Sequence, residues 1–188
     1  MVKRISLILS LLLILCIFNS CAKVDKEELL NELPSLIEKG RELLEVVYGE
    51  GLETDESGSE SYRAGYAAVS KSARYKSIDE LKNALSEVFG EEYTAVLCNT
   101  AFNGVSDDDG SIHPRYIESE DGVLFADMDF EMQIEKREPK YDSIKITKSN
   151  RYMAQIEITM VYADSREETD TIRVVNEAGR WKLDSAVL

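Results

Sequence analysis

Chemistry has few places to live in this chain. The single histidine, His113, follows the acidic run Asp107-Asp108-Asp109-Gly110 and precedes Pro114-Arg115-Tyr116. Any serine or cysteine nucleophile that needs an imidazole base would have to use that one residue. Cys98 lies beside Val96 and Leu97 in a segment of helical periodicity, where a thiol behaves as a small hydrophobe. A structural zinc site takes four ligands, more than one Cys and one His supply. The acidic run invites a calcium reading, because adjacent carboxylates and a turn glycine suit a hard cation, but it lacks the loop spacing and the distant bidentate glutamate. It reads instead as a solvated acidic turn. The 36 Asp+Glu offer many pairs for glycoside hydrolysis and single out none. There is no phosphate-cradling glycine loop and no basic aromatic stripe. The expectation is a binding protein rather than an enzyme, with no metal and no cofactor.

The first residues say where such a protein works. Met1-Val2-Lys3-Arg4 is a basic start, Ile5 to Phe18 is almost wholly apolar, and Asn19-Ser20 leads to Cys21. These are the parts of a secretory signal, and the apolar run falls short of the roughly 18 residues of a spanning helix. Phe18-Asn19-Ser20-Cys21 resembles the bacterial lipobox, with Phe18 in place of the usual leucine. That resemblance implies cleavage after Ser20, diacylglycerol on Cys21 and an extracytoplasmic chain held on the bacterial cell membrane. Several acyl chains hold far more firmly than one.

Residues 1–20 carry two of the 22 Lys+Arg and no acid, so the remainder is two charges more negative than the −14 of the whole chain. That balance disfavours nucleic acid, anionic headgroups and polyanionic wall polymers, and favours a basic protein partner. Of the three cysteines, Cys16 leaves with the signal and Cys21 is acylated. Cys98 is left without a disulfide partner, so packing alone must hold the fold.

Residues 21–61 read as a lipid-anchored helical arm and an acidic linker. Leu29, Leu33, Leu36, Ile37, Leu44 and Val47 recur at helical spacing, with Pro34 and Gly40 expected to kink or split the helix. Residues 62–188 read as one α+β domain. Ser77-Ile78-Asp79-Glu80 is a capping box opening a helix to Phe89, and a second helix runs from Glu91 to about Phe102 with Tyr93, Val96, Leu97, Thr100 and Ala101 inward. Then the period changes to two. Pro114–Ser119 and Val123–Met132 flank the turn Glu120-Asp121-Gly122, Ser143–Thr147 is a further strand, and Tyr152–Tyr162 alternates throughout. Thr171–Asn176 and Arg180–Ala186 close a last hairpin. The fold expected is α+β, with N-terminal helices on one face of a curved antiparallel sheet. The ending Gly179-Arg180-Trp181-Lys182-Leu183-Asp184 resembles that of cystatin-like and NTF2-like exported domains, which implies a fold of that kind.

Over about residues 28–186 the order of features resembles the IseA family, inhibitors of the DL-endopeptidases that cut peptidoglycan stem peptides. The resemblance is carried by the leading helix, Tyr62-Arg63, the helices Ser77–Phe89 and Glu91–Phe102, Pro114-Arg115-Tyr116-Ile117-Glu118, Asp121-Gly122-Val123-Leu124 and the ending Gly179-Arg180-Trp181-Lys182-Leu183-Asp184. It implies a non-catalytic protein that docks over the groove of an NlpC/P60 hydrolase. The partner contacts would then fall on Asp107, Asp108, Asp109, His113, Arg115 and Tyr116. Two other readings stay open. A cystatin/NTF2-like module would hold a small ligand in a deep apolar pocket lined by Tyr93, Phe130, Tyr152 and Trp181. A wall hydrolase would need convergent titratable groups in a cleft.

Overall fold

A computed structural model describes residues 25–55, 63–106, 112–131 and 135–187. The segment read as a signal, Cys21 and Asp107–Asp109 lie outside these. Among the described residues no helix is long and apolar enough to cross a membrane.

The first element is a single helix, α1 (Lys26–Tyr48). Asp25 caps it, its carboxylate accepting from the amides of Glu27 (3.0 Å) and Glu28 (3.2 Å). Pro34 does not split it. An internal proline costs about 3 kcal/mol. Against that, Leu29, Leu33, Ile37, Leu44 and Val47 are fully buried, each contributing roughly 2 kcal/mol. Gly40 is no break either. A β-carbon there would collide with Leu183 Cδ1 and come within 3.1 Å of Val187 Cγ2, so glycine lets helix and sheet approach.

The buried face of the helix therefore shares one core with the sheets. The linker begins docked as well. Leu52 is buried and Thr54 bridges to Val69.

Next come β1 (Tyr66–Ala68), α2 (Ile78–Val88) and α3 (Glu91–Cys98), which runs into a π-helical turn at Asn99–Asn103. Ser77 caps α2 by accepting from the Glu80 amide at 3.1 Å. The Glu80 carboxylate reaches one residue further back than the box predicts, to the Lys76 amide at 2.8 Å. Leu97 and Ala101 point inward as expected, but Val96 is 52% exposed, because α3 packs along a narrower stripe than its apolar content suggests.

The strands form two main antiparallel sheets where one was expected. β1 pairs with β5 (Leu124–Asp127), and β5 with β4 (Tyr116–Glu118). All four residues of β5 are buried, as befits the middle strand, and Met128 just beyond it is exposed. β6 (Arg137–Ser149), β7 (Met153–Tyr162), β8 (Glu167–Glu177) and β9 (Arg180–Leu183) make the larger sheet in that order. The alternation in β7 is as read from the sequence, with Ala154, Ile156, Ile158, Met160 and Tyr162 inward. Register shifts along β6 mark bulges, which bend and twist an edge strand. Between these sheets in sequence, β2 (Val105–Ser106) and β3 (Ile112–His113) pair on either side of residues 107–111. The N-terminal helix packs on the sheet, so the architecture is α+β as expected.

Candidate binding groove

Of the residues expected to meet a partner, Asp107, Asp108 and Asp109 lie outside the described residues, and the other three divide between surface and interior. His113 is exposed on β3. Arg115 and Tyr116, by contrast, are 5% and 0% exposed. The Arg115 guanidinium donates to the carbonyls of Asp127 (3.0 Å) and Gly49 (3.1 Å). It lies 4.1 Å from the Phe130 ring centroid. The Tyr116 hydroxyl donates to Val46 O (2.8 Å) and accepts from Leu52 N (3.0 Å). These two side chains tie the C-terminal end of α1 to the small sheet. Burial and four hydrogen bonds commit them to the interior.

Cys98 is half-buried at the end of α3. Burial pushes the Cys98 thiol up, partly offset by Lys82, which is opposite to what an attacking thiolate needs. Among the described residues no group of three His, Cys, Asp or Glu is placed to hold a metal ion.

The four aromatics proposed to line a deep pocket are scattered. Tyr93 packs on Phe89 with centroids 5.4 Å apart, and burial raises its pKa to about 12. Phe130 lies against Arg115. Tyr152 is 59% exposed at the β6–β7 turn. Only Trp181 borders a large concavity, and that concavity is an open groove of about 880 Å³ along α1.

One wall of the groove is the outer face of α1, with Glu28, Glu32, Leu36, Lys39, Glu42 and Leu43 at helical spacing. The facing wall comes from the segment before α2 and from α2 itself, through Arg74, Tyr75, Ala84, Glu87 and Val88. The turns of the large sheet close one end with Arg151, Gly179, Arg180 and Trp181.

One charge pair spans the groove. Arg74 reaches across the groove to the Glu42 carboxylate, which holds the guanidinium pKa above its ordinary value. The same guanidinium lies 5.5 Å from the Tyr75 ring centroid, and burial raises the Tyr75 phenol. Such a surface offers cations stacked on aromatics, carboxylates opposite and half-buried Leu36 and Trp181 between them. It can hold a ligand with both apolar and charged groups.

The sequence reading missed this groove because its walls are far apart in the chain. One signal was available. Leu36 belongs to an apolar stripe on α1 wider than the core uses, and it is the part that faces the groove.

No known protein-family model matches the chain, and no curated protein matches it.

Proposed function

We propose that this protein is a lipid-anchored extracytoplasmic binding protein that docks onto, and inhibits, a cell-wall DL-endopeptidase of the NlpC/P60 type, with no chemistry of its own. The observation that carries the reading is the open groove beside α1, mixed in charge and bordered by Tyr75 and Trp181 on a rigid helix–sheet frame. Grooves of this kind suit macromolecular partners, whose affinity concentrates in a few aromatic and arginine contacts. The choice of an endopeptidase rests on the resemblance of the chain's order of features to the inhibitor family. The membrane location rests on the lipobox-like run ending at Cys21.

The scatter of Tyr93, Phe130, Tyr152 and Trp181 weighs against the small-ligand module. The test is capture from the bacterial envelope on the full chain, followed by a peptidoglycan-cleavage assay on the captured hydrolase. Dose-dependent inhibition supports the proposal. A captured endopeptidase that cuts at its full rate when saturated with this protein would overturn the inhibitory role, and capture of no hydrolase would overturn the docking.

A further inference from the structure

We infer that the end of the domain formed by the β6–β7 and β8–β9 turns is a docking edge for an anionic lipid surface, so that the anchored protein stands with its acidic β7–β8 end away from the bilayer. The inference rests on the lipid-anchor reading and adds an orientation to it.

Placement comes first. The two turns lie side by side, because Asn176 N donates to Tyr152 O at 2.7 Å and Met153 pairs with Val175. The first turn of α1 is at the same end. Arg41 lies against Arg137 and Glu138, and Glu38 against Tyr141, so α1 runs back toward Asp25 as β6 runs on toward its turn. Asp25 lines the groove together with Arg151, Gly179 and Arg180. Cys21 is four residues before Asp25, a tether of at most about 14 Å when fully extended. The 13 residues of β6 separate this end from the opposite one by about 40 Å. A lipid on Cys21 therefore brings the two turns to the membrane and leaves the far end out of reach.

Charge follows the same axis. Between Asp142 and Glu157 there is no acid, while Lys145, Lys148 and Arg151 supply three cations. Arg180 adds a fourth on the neighbouring turn, and Lys148, Arg151 and Arg180 are exposed. At the opposite end Arg166 pairs with Glu135, Asp164 and Glu168, Lys140 with Glu167 and Arg137 with Asp170, so the cations there are already matched by carboxylates. The chain as a whole is strongly acidic, yet charges beyond about 8 Å are largely screened at physiological salt. The acidic end, about 40 Å away, cannot repel the docked edge.

The acids of the first turn of α1, Asp25, Glu27 and Glu28, offset part of the basic charge on the tether side, and Glu177, opposite Arg180 in the hairpin, is matched by Lys182 at 3.1 Å. Contact therefore falls on the sheet turns. There, exposed Tyr152 lies under the Arg151 guanidinium, 4.4 Å from ring centroid to Cζ. An amphipathic ring beside a cation suits the headgroup layer. The outer groove, at Leu36, Lys39, Arg74 and Tyr75, stays clear for a protein partner.

The test uses the full lipidated chain in vesicles of phosphatidylcholine alone or mixed with phosphatidylglycerol. With Trp181→Phe as background, Tyr152→Trp places a sole tryptophan on the edge, and Ala163→Trp places one at the far turn. Expected is quenching of the Tyr152→Trp reporter by bromine-labelled phosphatidylcholine, stronger with phosphatidylglycerol, and none at Ala163→Trp. Adding Arg151→Gln or Arg180→Gln should each lower the docked-to-undocked ratio about fivefold, with flotation on vesicles unchanged. Equal quenching of the two reporters in a chain that still floats would overturn the docking edge and leave the anchor standing. A chain that does not float would overturn the anchor and the docking edge together.

Discussion

Arg115-Tyr116 and Arg74-Tyr75 are the same dipeptide, and in both the guanidinium lies over the neighbouring ring, at 5.7 and 5.5 Å from the centroid. Their fates differ. The first pair is buried and hydrogen-bonds to Gly49, Asp127, Val46 and Leu52, with Arg115 Nε alone left without a partner among the described residues. The second stands on a groove wall, with one carboxylate, Glu42, opposite. A cation–aromatic pair is thus a component and not a site. Its role is set by whether the surrounding backbone has unpaired carbonyls to satisfy or leaves the pair open to a partner.

The contrast breaks first at the buried pair. Tyr116→Ala should destabilise the protein by about 3–5 kcal/mol, the cost of deleting a large buried side chain, read as a lowered urea midpoint. Tyr116→Phe isolates the hydroxyl. It leaves Leu52 N and Val46 O without their partner and should cost about 1–3 kcal/mol in the same titration. If Tyr116→Phe is neutral, the hydroxyl is not the tie between α1 and the small sheet.

The groove pair should behave in the opposite way. Both partners of the Arg74–Glu42 pair are more than half exposed, so Arg74→Glu should change stability by no more than about 1 kcal/mol. Its effect belongs in partner binding. Ser77→Ala, next to this wall, is a purely structural reference and should cost about 1 kcal/mol through the lost cap of α2, without weakening the partner.

A smaller effect concerns pH. Burial raises the Tyr93 phenol from 10.0 to about 12, so the folded state favours its protonated form. The stability this contributes is complete below pH 10 and is lost as pH climbs to about 12. Tyr75 and Tyr116 are shifted in the same direction, also chiefly by burial. Tyr93→Phe should therefore shallow the alkaline fall in melting temperature without abolishing it.

How much of this was legible depends on the range of the interaction. The α1 stripe, the Ser77 cap, the alternation of β7 and the β8–β9 turn are local patterns, and each stands where the residues put it. At that turn Ala178 and Gly179 both take positive φ, the geometry of a two-residue hairpin loop. Pro34 and Gly40 misled because their local penalties are outweighed by packing against residues more than a hundred positions away. Most of β6 was missed for a related reason. An exposed edge strand carries charges and even Pro139, and it lacks the apolar alternation that betrays an inner one. The site was the least legible part, since nothing in a dipeptide tells Arg115 from Arg74.

The most direct measurement is a binding isotherm between the full-length protein and an NlpC/P60 DL-endopeptidase, run for the native chain, Arg74→Glu and Trp181→Ala beside their melting curves. The groove account predicts that each substitution weakens binding by roughly 2 kcal/mol, about thirtyfold. Arg74→Glu should do so with an unchanged melting curve. Native affinity in both variants would contradict it.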